Sequence, residues 1–266
     1  TRTEISILKK LKHDLPSYLD ENMNLVELGS GASVKTRLIL DIFTKLQAKT
    51  EYFPIDISEI LTESSEQLLK DYDSLHITGI IDTYEGGLEF LKNYDDKKNL
   101  ILFLGSSFGN FTPDDGKLFL EKIFSTMNSD DLFLIGLDLV KDKNILESAY
   151  DDSQGTTAKF NLNVLSRIND ELDADFNIEN FSHYSIYNEN DQRIEMNLKS
   201  LVSQSVIIAK SNLSLNLEKG ELIHTEYSHK YNIPQIKKIL TDIGFEIKNI
   251  WLDDKKYFSL TLITKN

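Results

Sequence analysis

Apolar residues in the first half of the chain fall into short continuous runs, separated by stretches in which they recur every three or four positions. Residues 24–28 (NLVEL) form one such run, ending at Gly29, and read as a buried strand. Between 35 and 48, Leu38, Ile39, Ile42, Phe43 and Leu46 share one face of a helix. The same alternation predicts strands at 52–57 (YFPIDI), 76–81, 100–104 (LILFL) and 132–139 (LFLIGLDL), with helices at 59–70, 86–93 and 113–127 between them. The run at 100–104 has no polar alternation, as expected of a parallel strand buried on both faces. Pro113 suits the first turn of the helix it opens, where its missing N–H costs nothing.

The middle of the chain behaves differently. Residues 144–172 are mostly helical in pattern, and 183–208 alternate with a period of two about a turn at 188–191 (NEND). Beyond Pro234 come a helix at 236–243, a stop at Gly244, and strands at 246–252 and 257–264 joined tightly through Asp253, Asp254 and Lys255. The expected fold is α/β. The alternation gives a doubly wound, Rossmann-like parallel sheet with a terminal antiparallel hairpin, built from 1–140 and 231–266 and comparable by fold analogy with class I methyltransferase sheets. An α+β domain, expected to hold substrate, is inserted at 141–230. Such a closing hairpin is the habit of S-adenosylmethionine-dependent methyltransferases rather than of nicotinamide dehydrogenases, an argument from fold analogy.

Composition narrows the partners. The 266 residues fit one large or two modest domains. Lys and Arg number 29 against 43 Asp and Glu, a net charge of −14 that repels phosphate backbones and anionic lipid surfaces. A small-molecule partner, a monomer, and no nucleic acid or membrane partner are the expectation. With no cysteine, disulfides, thiolate zinc sites and cysteine nucleophiles are excluded, and a cytoplasmic setting is expected. The first methionine is Met23, and no secretory signal opens the chain, so a segment upstream of Thr1 is expected.

Three stretches carry candidate chemistry. Gly29-Ser30-Gly31 ends the first strand, where glycines let the backbone turn sharply and approach a cofactor. The third glycine of a dinucleotide loop is replaced by Val34; an acidic residue followed by G-x-G suits the amino-acid end of S-adenosylmethionine. Asp56, at the tip of the second strand, has the spacing of a ribose-binding acid. A plain glycine turn and a surface acid are the alternative. Asn110, in the loop GSSFGNF after the fourth strand, either holds a substrate carboxylate or amine or caps the helix opened by Pro113. In His224-Thr225-Glu226-Tyr227-Ser228-His229, strand alternation puts His224, Glu226 and Ser228 on one face and Tyr227 and His229 on the other. Zinc ligation by His224, Glu226 and His229 is then awkward. A carboxylate beside a hydroxyl is a clamp for a ring with two nitrogens, unless this is merely a solvated strand face.

The segments Thr1-Arg2-Thr3-Glu4, VELGSGASVKTR (26–37), FLGSSFGNFTP (103–113), DLVKD (138–142), AYDDSQGTTAKFNLN (149–163), RIEM (193–196) and TEYSHKY (225–231) occur in order over essentially the whole chain. Together they resemble the histidine-specific methyltransferases of ergothioneine biosynthesis, the L-histidine Nα-methyltransferases. The resemblance implies that Gly29, Gly31, Lys35, Asp56 and Tyr84 bind S-adenosylmethionine, and that no metal is used. It implies that Asn110 and Tyr150 hold the substrate α-carboxylate and are the groups nearest the chemistry. Met196, Glu226 and Ser228 would form the side-chain pocket. The family's acidic–aromatic pair after the third strand falls on Thr83-Tyr84, so the acid is replaced unless Asp82 stands in. The family's Tyr-Tyr-Pro segment would precede Thr1, together with the N-terminal part of the substrate domain. Relatives on the same scaffold methylate a prenylated tryptophan, so rival readings are another aromatic amino acid or amine as substrate, or a non-catalytic cofactor-binding homologue.

Overall fold

The computed structural model describes residues 2–31, 33–58 and 60–265. Thr1, Ala32 and Glu59, which fall in the first motif, the glycine loop and the start of the second predicted helix, lie outside the described residues, as does Asn266. The chain divides into two compact units, 1–139 with 231–266, and 140–230.

The first unit begins with α1 (Arg2–Leu11), a helix absent from the periodicity reading. There follow β1 (Asn24–Leu28), α2 (Thr36–Leu46), β2 (Thr50–Asp56), α3 (Ile60–Asp71), β3 (Leu75–Ile77), β4 (Ile80–Ile81), α4 (Tyr84–Lys92), β5 (Asn99–Phe103), α5 (Pro113–Thr126) and β6 (Leu132–Asp138). The strand expected over 76–81 is broken in two, and both pieces pair with β2. The break falls at Thr78-Gly79, where a Cβ on Gly79 would collide with the Leu61 side chain. After the second unit the chain returns through α8 (Ile233–Ile243), β12 (Phe245–Leu252) and β13 (Phe258–Lys265). The sheet runs β12-β13-β6-β5-β1-β2-β3, parallel except for the β12–β13 hairpin and its pairing to β6.

Strand alternation sends side chains to two cores, one on each face. Leu25, Leu100, Leu102 and Leu134 pack with α1 and α2. Val26, Leu28, Ile101, Phe103 and Ile135 pack with α4, α5 and α8. Both faces of the central strands are covered, which explains why they read as unbroken apolar runs. Leu139 and Tyr231 form a parallel bridge where the chain leaves this unit and returns to it.

The second unit holds α6 (Lys143–Tyr150), α7 (Thr156–Leu172), β7 (Phe181–Asn188), β8 (Arg193–Ser200), β9 (Gln204–Ile208), β10 (Leu213–Leu217) and β11 (Leu222–His229). Two helices thus replace the one helical stretch expected at 144–172: the first ends at Tyr150, and Asp152 accepts the Thr156 and Thr157 amides that open the second. Those bonds hold its carboxyl well below the usual carboxylate range. The strands form a sheet in the order β11-β8-β7 and a separate ribbon, β10-β9. Phe176, Phe181, Leu198 and Val206 pack with Leu165 of α7, and Tyr187, Ile194 and Met196 pack with Leu146 of α6. Among the described residues no helix is long and apolar enough to cross a membrane.

Candidate active site

In the first unit the candidate residues gather at the carboxyl ends of β1, β2 and β4. Gly29 and Gly31 both have positive φ, 72° and 49°. A Cβ on Gly29 would lie 2.9 Å from the Tyr84 hydroxyl, whereas one on Gly31 would meet nothing within 4 Å. The loop is therefore tight on one side and open on the other. Ser30 Oγ between them is buried with no hydrogen-bond partner, a polar group left for a ligand. Asp56 is half-buried; its Oδ1 accepts the Ser58 amide at 2.9 Å and its Oδ2 lies 3.4 Å from the Gly31 amide. Asp56, Tyr84, Glu85, Phe111, Leu118 and Lys122 are among the residues lining a cavity of about 730 Å³. Burial, followed by Asp56 and Glu85, raises the Tyr84 hydroxyl pKa, so it remains a neutral donor.

Lys35 is held from below. Its Nζ pairs at 3.1 Å with Glu4, a fully buried carboxylate whose Oε1 also accepts the Gly105 amide at 2.7 Å. Glu27, two residues before Gly29, is buried as well and accepts the Thr36 and Tyr52 hydroxyls, each at 2.6 Å. Burial raises its carboxyl to about 7, against the opposing pull of those two hydrogen bonds. Thr112, not Asn110, caps α5, accepting the Asp115 amide. Asn110 is exposed at the end of a 3-10 turn. Asp82 does not line the cavity described above: its Oδ1 accepts the Thr83 amide, and its carboxylate crowds Gly86 in the first turn of α4.

In the second unit three polar groups converge. Tyr150 ends α6, Ser228 lies on β11, and Lys230 follows that strand. Tyr150 Oη and Ser228 Oγ are 2.8 Å apart, and Lys230 Nζ donates to each at 2.8 Å. Met196, 3% exposed on β8, packs with Ile194, Tyr187 and Leu146 against Tyr150. Glu226 is half-buried; burial raises its carboxyl, and the Lys230 charge works against that rise.

One expectation of shared facing is corrected. His224 pairs with Asn197, but Glu226 pairs with Met196, so Thr225 is an extra residue, a β-bulge. The bulge reverses the alternation. His224 joins the Tyr227 and His229 face, its ring centroid 3.9 Å from that of Tyr227, while Glu226 and Ser228 stay together opposite Met196 and Ile194. Among the described residues no three His, Asp or Glu side chains could hold a metal ion.

Glu4, Glu85, Lys122 and Lys230 escaped the sequence reading. Lys230 alone left a signal, lying two residues beyond Ser228 at strand period.

Comparison with known proteins brings these observations to one place. Residues 1–265 match the family described as "Histidine-specific methyltransferase, SAM-dependent". The chain is 34% identical over its whole length to the "Histidine N-alpha-methyltransferase" of Mycolicibacterium smegmatis, covering 82% of that protein. It is 27% identical to "Ergothioneine biosynthesis protein 1" of Neurospora crassa, covering 100% of this chain and 30% of that one. The solved CcbJ methyltransferase of Streptomyces caelestis shares the fold, with a TM-score of 0.50 at 8% identity, covering 97% of this chain and 95% of that chain. The chain, with its parallel sheet, glycine loop and acid-tipped second strand, belongs to the S-adenosylmethionine-dependent histidine-specific methyltransferase family.

Proposed function

We propose that this enzyme transfers a methyl group from S-adenosylmethionine to the α-amino group of L-histidine. The observation that carries the substrate reading is the pairing of Glu226 and Ser228 on one strand face, a carboxylate acceptor beside a hydroxyl. An imidazole offers a nitrogen to each, whereas an indole has only one ring nitrogen and leaves one of the two unpaired.

The residues of the first unit fit the cofactor. Open space at Gly31, the orphaned Ser30 hydroxyl, the Asp56 carboxylate and the aromatic-lined cavity supply, in order, room, a polar contact, a ribose clamp and a stacking wall. When bound, S-adenosylmethionine supplies a methyl group on a sulfonium. The protein's part is to bind, orient and keep out water, so positioning provides most of the rate. Lys35, fixed by Glu4, is the proposed partner for the methionine carboxylate. Asn110 and Tyr150 are proposed for the substrate carboxylate. Tyr150 Oη already accepts a Lys230 N–H, so its own O–H suits a carboxylate better than a role as base. The amine must arrive neutral, and the rate therefore rises with pH as that group loses its proton. Cytosolic, monomeric action on a small molecule belongs to the same reading, and the net charge of −14 supports its exclusion of nucleic acid and anionic membrane surfaces.

Competition kinetics with histidine, phenylalanine and tryptophan test it. Wild type should prefer histidine, and Glu226→Ala and Ser228→Ala should each lower kcat/KM for histidine by roughly 10- to 100-fold, with less than additive loss in the double variant. A wild type that prefers tryptophan, or a double variant with unchanged histidine preference, removes the imidazole assignment.

A further inference from the structure

Cofactor and substrate each bring an amino-acid carboxylate, and the first-unit groups proposed for them stand on different loops. Lys35 precedes α2, and Asn110 ends the 3-10 turn after β5. One buried side chain touches both loops. Glu4 of α1 is fully buried; its Oε1 accepts the Gly105 amide at 2.7 Å, where the Asn110 loop begins, and its Oε2 faces Lys35 Nζ at 3.1 Å. That second contact is an ion pair rather than an aligned hydrogen bond. The groups are tightly set: a Cβ on Gly105 would lie 2.8 Å from Lys35 Nζ, and one on Gly136 of β6 would lie 2.7 Å from Glu4 Oε1. Gly136 thus leaves the space that the carboxylate fills.

Both partners of Glu4 are donors, so only a side chain that accepts at both of its ends can hold them together. Lys35 is a flexible side chain, 23% exposed, and without Glu4 it is free to swing into solvent. On the other side, Gly105 and Ser106 have φ of 86° and 62°, and the turn Ser107–Asn110 follows at once. So short a connection passes a shift at Gly105 on to Asn110. Ser106 Oγ, which accepts the Asp138 amide at 3.0 Å, is a second tether of the same turn.

We propose that Glu4 is a positioning residue shared by the two carboxylate sites: it holds the Lys35 ammonium for the cofactor's carboxylate and the Gly105 turn that places Asn110 for the substrate's. This rests on the reading of Lys35 and Asn110 as carboxylate contacts. The test compares two pairs of ligands, each pair differing by one carboxylate, in calorimetric and competition binding to the full chain. The first pair is S-adenosylhomocysteine and its decarboxylated thioether; the second, with S-adenosylhomocysteine present, is L-histidine and histamine.

Wild type should prefer the carboxylate-bearing ligand by roughly 30-fold in the first pair and by about 100-fold or more in the second, where Tyr150 also contributes. Lys35→Met should lower only the first ratio and Asn110→Ala only the second. Glu4→Met should lower both, the first to below about threefold and the second by about fivefold, while each truncated ligand binds within about twofold of wild type. A merely structural role weakens all four ligands alike, which overturns the proposal. Unchanged ratios, a fall in one ratio alone, or a first ratio that rises because Glu4 competes for Lys35 overturn it too. If Glu4→Met does not fold, Gly136→Ala decides: its methyl crowds Glu4 Oε1, the movable end of a side chain, and should lower the same two ratios. A wild type without carboxylate preference in one pair overturns instead the reading of Lys35 or of Asn110, and one that binds neither thioether overturns the cofactor site.

Discussion

The two units build their chemistry in different ways. In the first, the decisive groups lie where parallel strands end: Gly29 and Gly31 after β1, Asp56 at the tip of β2, Tyr84 opening α4. Topology alone brings them together, and backbone conformation matters as much as side chain. In the second, Glu226, Ser228 and Lys230 occupy a single strand and its exit, and their neighbourhood is set by pairing register. A strand-end site tolerates sequence change between its parts. A register site depends on every residue count within one ladder.

The sharpest way to break this contrast is to place a side chain in the backbone-built half. Gly29 has φ of 72°, and its Cβ position lies 2.9 Å from the Tyr84 hydroxyl. Gly29→Val should reduce S-adenosylmethionine affinity by roughly a thousandfold through strain and crowding, measured by calorimetry on a folded variant. Unchanged affinity would remove this loop from the cofactor site.

A smaller effect tests the support beneath the loop. Glu27 is raised from 4.5 to about 7, so the folded chain carries an extra proton between those values. A raised acid favours folding at the acid end, and that contribution is lost as pH rises through the window, by about 3 kcal/mol at full extent. Glu27→Gln should flatten the stability curve between about pH 4.5 and 7 and raise stability above it. Denaturant unfolding across pH checks this, and an unchanged slope would show that Glu27 does not carry it.

The smallest pair separates function from structure within one turn. Asn110→Ala should raise KM for histidine by roughly thirtyfold, about 2 kcal/mol for a lost bond to a carboxylate, with Tm nearly intact. Thr112→Ala should do the reverse, costing about 1 kcal/mol of stability through the lost helix cap and leaving KM in place. Exchanged outcomes would make Asn110 the structural residue.

How far the sequence discloses the molecule follows the same division. The bounds of β1 coincide with the apolar run at 24–28, and β5 and β6 lie within a residue of theirs, because strands buried on both faces leave no polar interruption. The strand at 76–81 breaks at Thr78-Gly79, where Gly79 packs against Leu61, a neighbour no local pattern contains. Gly29, Gly31 and Asp56 stand at strand ends, where their spacing puts them. His224 does not stand with Glu226, because a bulge leaves no periodic trace. Lys230 stands at strand period from Ser228, but a lysine there normally reads as solvent-facing, and its burial against Tyr150 and Ser228 rests on a contact no local pattern contains.

The extra residue at Thr225 also sets how this strand can change length. Deleting Thr225 would heal the ladder and leave Glu226 opposite Met196 and Ser228 opposite Ile194, as they are now. Inserting one residue between Glu226 and Tyr227 would instead turn the hydroxyl to the other face and bring the Tyr227 ring to its place. A lineage drifting toward a different amino acid could thus cross a large chemical distance in one codon, but only at that spot.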